Sequence, residues 1–157
     1  MIIAVIGGDS PPPEALPLAE AVGRELAQRG HALICGGRGG VMDAACRGAR
    51  EAGGHTIGVL PGADRRDMNP HVEFPIVTNL GAARNTVIVL SADAVIAVDG
   101  SYGTLSEIAL ALGHGKPVVG LATWRLSNDG GVEDEGIVRA EDPADAVERA
   151  IAAAEGV

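Results

Sequence analysis

The stretch Cys35-Gly36-Gly37-Arg38-Gly39-Gly40 follows a short apolar run and opens a segment with helical periodicity. A second stretch, Gly100-Ser101-Tyr102-Gly103-Thr104, has the same position relative to its neighbours. A strand that turns on glycines into a helix directs free backbone N–H groups, and roughly +0.5 of an elementary charge, at the space beyond it. The two stretches therefore predict a site for a phosphorylated small molecule.

Short β-branched runs alternate with Ala- and Leu-rich segments along the chain, which is typical of βαβ units and a parallel sheet. The predicted strands span residues 2–6, 32–35, 56–60, 94–98 and 117–121. The predicted helices span residues 14–29, 41–52, 80–90, 105–113 and 143–153, with an extended piece at 136–139. We expect one α/β domain over residues 1–157, a Rossmann-like doubly wound parallel sheet with helices on both faces.

Local signals mark several ends of these elements. Gly30 and Gly53 follow predicted helices as left-handed stops, and Asp142-Pro143 supplies a cap followed by proline at the first helical position. Residues 61–75, with three prolines, and residues 127–136, rich in Gly, Asp and Glu, are expected to be irregular. The first segment is a candidate wall of a ligand cleft, and the second is a candidate surface loop.

The charge and the aromatic content exclude some partners. The formal net charge is -9 with only 12 Lys and Arg, which argues against a surface that binds polyanions. Phe74, Tyr102 and Trp124 are the only aromatic residues, too few for the stacking platforms of proteins that bind single-stranded nucleic acids. We therefore expect no nucleic-acid partner.

The cysteines and the first apolar run indicate where the protein functions. Cys35 and Cys46 have no C-x-x-C spacing and no neighbouring pair of histidines, so we expect reduced, mostly buried thiols and no metal site. The first apolar run lacks a basic leader and stops at Gly7-Gly8-Asp9, so it is not a signal peptide. No run approaches the ~18 apolar residues of a membrane span. We expect a cytoplasmic protein with no membrane partner.

Three glycine-bearing loops are predicted at one edge of the sheet, at residues 7–10, 35–40 and 99–104. Open α/β sheets bind ligands beyond the carboxyl ends of their strands. The candidate binding residues of these loops are Gly8, Ser10, Gly37, Arg38, Gly39, Gly40, Gly100, Ser101, Tyr102, Gly103 and Thr104. Glycines after strands also serve tight turns and close helix packing, so each loop taken alone has a structural explanation.

The first glycine stretch continues as Gly39-Gly40-Val41-Met42-Asp43-Ala44-Ala45-Cys46-Arg47-Gly48-Ala49 and, after an interval, as residues 53–61. In this form it resembles the LOG ("Lonely Guy") family, long misannotated as lysine decarboxylases. The stretch Asp99-Gly100-Ser101-Tyr102-Gly103-Thr104-Leu105-Ser106-Glu107 is similar to that family's second motif, Pro-Gly-Gly-x-Gly-Thr-x-x-Glu. With Gly7-Gly8-Asp9-Ser10, the resemblance covers residues 1 to about 121.

This resemblance implies a Rossmann-like fold that binds a nucleoside 5′-monophosphate. It also implies that the catalytic residues are Arg84 and Glu107, which would hydrolyse the N-glycosidic bond to free base and ribose 5-phosphate. Two departures are visible. The family's Met-His-x-Arg-Lys segment is Ala82-Ala83-Arg84-Asn85 here, without its His and Lys, and its Pro-Gly-Gly is Asp99-Gly100-Ser101.

The chain is more similar to a shorter sister group, the molybdenum-cofactor carrier proteins, which hold a pterin phosphate without known turnover. We therefore expect a binding protein for a phosphorylated, nucleotide-like ligand, either a molybdopterin-type cofactor or a nucleoside monophosphate. The alternative is a LOG-type phosphoribohydrolase. A dinucleotide-dependent oxidoreductase is disfavoured because the first strand–helix turn lacks the G-x-G-x-x-G spacing. The resemblance also implies a homo-oligomer.

Three side chains near the second glycine stretch have alternative roles. Thr104-Leu105-Ser106-Glu107 matches a capping box with Thr104 as the N-cap, yet a carboxylate at Glu107 also suits stabilisation of an oxocarbenium-like state or activation of water. Tyr102 is a candidate either for stacking on a base or pterin ring or for anchoring its loop. Asp99 places negative charge beside the phosphate loop unless its side chain turns away.

Overall fold

The computed structural model describes residues 1–156, in which seven strands form one sheet with every pair parallel. The strands are β1 Ile2–Gly7, β2 Ala32–Cys35, β3 Thr56–Leu60, β4 Phe74–Val77, β5 Ala94–Val98, β6 Val118–Leu121 and β7 Ile137–Arg139. The helices are α1 Ala15–Gln28, α2 Val41–Glu51, α3 Arg84–Ser91, α4 Tyr102–Gly113 and α5 Pro143–Glu155. Short 3-10 turns at Arg65–Asp67 and Gly81–Ala83 precede β4 and α3.

The strand order is β4-β3-β2-β1-β5-β6-β7. The chain builds one half of the sheet outward from β1, then returns to the other side of β1 with β5. The order therefore reverses between β1 and β5, and such a switch point is where open α/β sheets bind ligands. The Rossmann-like, doubly wound α/β fold predicted from the sequence is confirmed.

Two apolar layers hold the sheet between its helices. Ile3 and Val5 of β1 pack in a cluster with α1, α2 and α5, whereas Ala4 and Ile6 pack in a second cluster with α3 and α4. All four side chains are buried, as expected for a central strand whose successive residues point to opposite faces. The helices on both faces explain why the strand sequences are apolar almost throughout.

Helices α1 and α2 cross so closely that their backbones are in contact. A Cβ atom at Gly23 would stand 1.9 Å from the carbonyl oxygen of Ala45, and a Cβ at Gly48 would stand 1.9 Å from that of Glu20. No side chain fits at either position without moving a helix. The carboxylate of Glu20 also accepts a hydrogen bond from Arg47 at 2.7 Å, which joins the two helices beside this crossing.

The sequence does not predict β4, which begins inside the segment expected to be irregular. β4 is an edge strand that pairs with β3 on one side only, and Phe74, Ile76 and Val77 are exposed. Pro75 lacks an N–H group, which an edge strand tolerates and a central strand does not. The proline inside β4 and the partial exposure of this edge strand thus explain why the sequence did not predict it as it predicted the buried strands.

Two helices begin at positions other than those predicted. α3 begins at Arg84 and not at residue 80, because residues 81–83 form a 3-10 turn in which Gly81 has a φ of 56°. α4 begins at Tyr102 and not at residue 105, because Ser101 is extended and its carbonyl accepts the first helical hydrogen bond from Leu105 at 2.9 Å. The earlier start of α4 changes the roles of the residues in its first two turns.

The other helix-end predictions are confirmed. Gly30 and Gly53 have φ values of 77° and 79°, and the side chain of Asp142 accepts a hydrogen bond from the Asp145 N–H at 2.9 Å. Within residues 1–156, none of the helices has the length and apolar character needed to cross a membrane.

We predict that Gly48→Ala destabilises the protein by about 1–3 kcal/mol, because the added methyl group overlaps the Glu20 carbonyl and forces α1 and α2 apart. Urea unfolding followed by circular dichroism measures the change. Gly113→Ala is the matched control, since a Cβ at Gly113 meets nothing within 4 Å and alanine favours a helix. Equal effects of the two substitutions would contradict the crossing geometry.

Candidate functional site

A cavity of about 310 Å³ opens at the carboxyl edge of the sheet, beside the switch point between β1 and β5. Its walls come from the loops after β1, β2, β3 and β5 and from the first turns of α2, α3 and α4. The lining residues are Ile6, Gly7, Gly8, Asp9, Arg38, Met42, Pro61, Arg84, Asn85, Ser101, Gly103, Thr104 and Glu107. The three loops that the sequence predicts at one edge therefore meet at one cavity.

The N-terminus of α4 faces this cavity. The first helical hydrogen bond is donated by Leu105, so the N–H groups of Tyr102, Gly103 and Thr104 have no acceptor within the helix. A Cβ at Gly100 would stand 2.5 Å from the side chain of Thr104, and Gly100 has a φ of 113°. The glycine is thus needed for the turn that presents the helix end. Its N–H groups and dipole suit a phosphate.

The first glycine turn is organised differently, because its own N–H groups bind groups of the protein. Gly37 donates to Cys35 Sγ at 3.3 Å, Gly39 donates to Asp9 Oδ1 at 2.8 Å, and Val41 donates to the carbonyl of Gly8 at 3.0 Å. This turn contributes the side chains of Arg38 and Met42 to the cavity. These three N–H groups are therefore already bound within the protein, whereas those at the start of α4 have no acceptor within the helix.

Arg84 is a half-buried cation at the cavity wall. Its guanidinium group donates to the side chain of the adjacent Asn85 and lies against Gly36, where a Cβ would stand 2.6 Å from Nη2. Desolvation lowers the pKa of Arg84, although the charge of Glu107 opposes this effect. Among the described residues, Arg84 Nε is buried without a hydrogen-bond partner. A buried donor without an acceptor lowers the stability of the protein, and an anionic ligand at this position would supply an acceptor.

Glu107 is only 6% exposed, and it lines the same cavity. Burial raises the pKa of Glu107 to about 7, while the positive charge of Arg84 limits the rise. The capping-box prediction is wrong, because Ser101 is the N-cap of α4 and no side chain caps the helix there. With the helix beginning at Tyr102, Glu107 lies in the second turn, too far along to reach back to the N-cap.

Arg38 and Asp9 form a second, more exposed pair of charges at the cavity. Arg38 Nη2 lies 4.0 Å from Asp9 Oδ2, and about half of each side chain is exposed. At this distance and exposure the ion pair is weak, so Arg38 is free to turn toward a ligand. The cavity thus carries two cations and two carboxyl groups. The cations suit the phosphate end of a ligand, and the carboxyl groups suit an end that bears hydroxyl or N–H groups.

The structure brings together only part of the predicted set of site residues. The predicted residues that line the cavity are Gly8, Arg38, Arg84, Ser101, Gly103, Thr104 and Glu107. The predicted residues outside the lining are Ser10, Gly37, Gly39, Gly40, Gly100 and Tyr102. Several of these glycines shape the turns: a Cβ at Gly40, for example, would stand 2.3 Å from the carbonyl oxygen of Gly8.

Two residues of the second loop, Asp99 and Tyr102, lie outside the cavity lining. Tyr102 is 81% exposed, and its ring packs against that of Trp124 with centroids 5.9 Å apart. The Trp124 indole N–H donates to the carbonyl of Ser101 at 3.3 Å, which supports the anchoring role for this aromatic pair. The side chain of Asp99 is outside the cavity lining, and its carbonyl accepts a hydrogen bond from the Thr123 hydroxyl.

Sequence reasoning did not single out three polar residues of this region. Asp9 and Asn85 line the cavity, and each was visible as a polar neighbour of a predicted site residue. Asn69 is buried and holds the first turn, donating from its backbone to the Gly37 carbonyl and from its side chain to the Arg38 carbonyl, both at 2.8 Å. No local motif identified Asn69, because its role depends on a contact between distant segments.

A profile of the SLOG cluster4 family matches residues 1–147. A cytokinin riboside 5′-monophosphate phosphoribohydrolase of Mycobacterium tuberculosis is 37% identical to this chain over an alignment of 120 residues. This alignment covers 71% of this chain and 64% of that protein. The aligned part therefore spans less than two thirds of that relative.

Two solved structures are similar to nearly the whole chain. The molybdenum cofactor binding protein of Rippkaea orientalis is 37% identical with a TM-score of 0.87, and the alignment covers 96% of this chain and 95% of that chain. The Moco carrier protein of Chlamydomonas reinhardtii is 39% identical with a TM-score of 0.86, and the alignment covers 99% and 98% of the two chains. The resemblance to the LOG family and to its carrier group is confirmed.

We predict that Glu107 makes the folded protein less stable as the pH rises from about 4.5 to about 7. The folded state keeps a proton that the unfolded chain, with an ordinary pKa of 4.5, releases across this window. Integrated over the window, the loss is about 3 kcal/mol. Glu107→Gln should remove this component, so the free energies of unfolding of variant and wild type, measured in urea, should diverge with pH. Parallel curves would refute the shift.

Proposed function

The chain belongs to the SLOG cluster4 family, and we propose that it binds a phosphorylated, nucleotide-like small molecule in the cavity at the β1–β5 switch point, in the manner of a carrier. The observation that carries this proposal is the N-terminus of α4. Its unpartnered N–H groups at Gly103 and Thr104 open into a cavity that also receives Arg38 and Arg84. This combination of helix end and guanidinium groups is suited to a phosphate monoester.

The rest of the cavity suits a flat, polar molecule attached to that phosphate. Its volume of about 310 Å³ is at the small end of the range for ligand sites, which matches a nucleoside monophosphate or a pterin phosphate better than a dinucleotide. Ile6, Met42 and Pro61 supply apolar wall. The carboxyl groups of Asp9 and Glu107 can accept hydrogen bonds from hydroxyl or ring N–H groups, and protonated Glu107 can also donate one.

Carriage without turnover is favoured over hydrolysis. Two solved structures that match nearly the full length of both chains are a molybdenum cofactor binding protein and a Moco carrier protein, whereas the phosphoribohydrolase relative is covered over 64% of its length. The segment that leads into the first turn of α3 has Ala82-Ala83-Arg84-Asn85, without the His and Lys of the LOG pattern.

The proposal also covers the domain organisation, assembly and location of the protein. We propose that residues 1–157 act as one domain, that the protein assembles as a homo-oligomer, and that it works in the cytoplasm without nucleic acid. Exposed apolar side chains on and after β4, at Phe74, Ile76, Val77 and Leu80, offer a surface for self-association. Cys35 and Cys46 are free thiols, as expected for a reducing compartment.

We predict that Arg38→Ala weakens the binding of AMP by roughly ten- to a hundredfold, because a charge-assisted hydrogen bond to phosphate is lost. Isothermal titration calorimetry with AMP and with adenosine measures the effect and isolates the phosphate contribution. Arg125→Ala is the matched control, since Arg125 is an exposed arginine outside the cavity lining. Equal losses for AMP and adenosine would remove Arg38 from the phosphate site, and wild-type protein that binds neither AMP nor inorganic phosphate would overturn the proposed function.

We predict that the wild-type protein binds AMP without cleaving it. Purified protein is incubated with AMP and other nucleoside monophosphates, and free base is followed by chromatography. Glu107→Gln is the control for a reaction at this site. Base release by the wild type that disappears in the variant would establish hydrolysis and replace the carrier proposal.

A further inference from the structure

The two cysteines of the chain are in contact beneath the first glycine turn. Cys35 is the last residue of β2, and Cys46 lies in the middle of α2. Their Sγ atoms are 3.5 Å apart, both side chains are fully buried, and both thiols are free. Neither residue lines the cavity or has a role in the binding proposed above, so the pairing of the two thiols remains to be explained.

The two thiols are chemically unequal. Cys35 Sγ lies 3.5 Å from Cys46 Sγ and accepts a hydrogen bond from the Gly37 N–H, and these contacts, with the guanidinium charge of Arg84, lower the pKa of Cys35 against the opposing effect of burial. The same contact, together with burial, raises the pKa of Cys46. A cysteine with a lowered pKa beside a second thiol is the arrangement of an attacking cysteine and its resolving partner.

We propose that Cys35 and Cys46 form a reversible disulfide on exposure to a hydroperoxide, and that this modification alters the ligand site. The Cys35 thiolate attacks one peroxide oxygen, the O–O bond breaks, and water or an alcohol leaves with a proton, giving a sulfenic acid at Cys35. The Cys46 thiol then attacks that sulfur and loses its proton as the S–O bond breaks and water leaves. Two thiols are oxidised by two electrons, and one peroxide is reduced.

The peroxide can approach through the ligand cavity. Gly36 has no side chain, and the position that its Cβ would take lies 2.6 Å from Arg84 Nη2 and 2.7 Å from Met42 Sδ. Arg84 and Met42 both line the cavity. Met42 lies one turn before Cys46 on α2 and packs in the same buried cluster as both cysteines, so movement of this flexible side chain would open a route for a small oxidant.

Disulfide formation would act on the turn that carries Arg38. The Cys35 sulfur that accepts the hydrogen bond of the Gly37 N–H would become part of a disulfide and a weaker acceptor, and the end of β2 would be tied to the middle of α2. Arg38, the next residue after Gly37, would lose part of the support that positions it at the cavity. This consequence rests on the proposed function, whereas the disulfide itself does not.

The disulfide is tested on the full-length protein with hydrogen peroxide as the probe. After the peroxide is removed with catalase, the protein is unfolded in urea, alkylated with iodoacetamide and weighed by mass spectrometry. Wild-type protein should lose both alkylatable thiols together, and dithiothreitol should restore both. Wild-type protein that keeps both thiols, or that gains oxygen atoms without losing the second thiol, would overturn the proposal.

Single variants test the assigned roles, with circular dichroism as a check of folding. Cys46→Ser should trap a sulfenic acid at Cys35 that dimedone captures, and Cys35→Ser should leave Cys46 unreactive. Equal dimedone capture in the two variants would refute the assignment. In a separate measurement, oxidised wild-type protein should bind AMP several-fold more weakly than reduced protein. A disulfide that leaves AMP affinity unchanged would overturn the regulatory consequence while leaving the modification in place.

Discussion

The close approach of three chain segments at the end of β1 is the constraint on which the site depends. A Cβ at Gly7 would stand 2.4 Å from the Val41 side chain and 2.5 Å from the carbonyl oxygen of Val98, so only glycine fits between the start of α2 and the end of β5. Because β1 pairs with β2 on one side and with β5 on the other, the loops after these strands diverge just above this contact. The cavity is the space that their divergence leaves.

The electrostatics of the cavity follow from its depth. Arg84 and Glu107 are held by α3 and α4 in an apolar surrounding that disfavours the charged form of each, and the two charges partly compensate one another. An anion bound at the end of α4 would favour the cation and the protonated carboxyl group at the same time. A ligand of this kind therefore relieves the desolvation of Arg84 without requiring that Glu107 remain charged.

The sequence predicted the buried strands and the helix stops well, and it predicted the edge strand, the start of α4 and the long-range contacts poorly. Central strands and the glycine stops at Gly30 and Gly53 have local signals that do not depend on the rest of the fold. β4 was missed because Pro75 interrupts a short apolar run, and a proline inside such a run argues against a strand except at a sheet edge. Capping was one of the roles considered for Thr104 and Glu107, and it is wrong because α4 begins earlier than predicted. That start depends on the extended backbone of Ser101, which no local sequence motif indicates. The support of the first turn by Asn69 comes from a contact between distant segments, which a single sequence does not reveal.

The central claim is that the backbone N–H groups at the start of α4 hold a phosphate. A titration of ¹⁵N-labelled protein with AMP, followed by two-dimensional NMR, tests it at the level of single amides. The account predicts that the amides of Gly103 and Thr104 shift most, moving downfield as their hydrogens meet phosphate oxygens, and that adenosine does not reproduce these shifts. Saturable shifts confined to other amides, or shifts at α4 that adenosine reproduces in full, would contradict it.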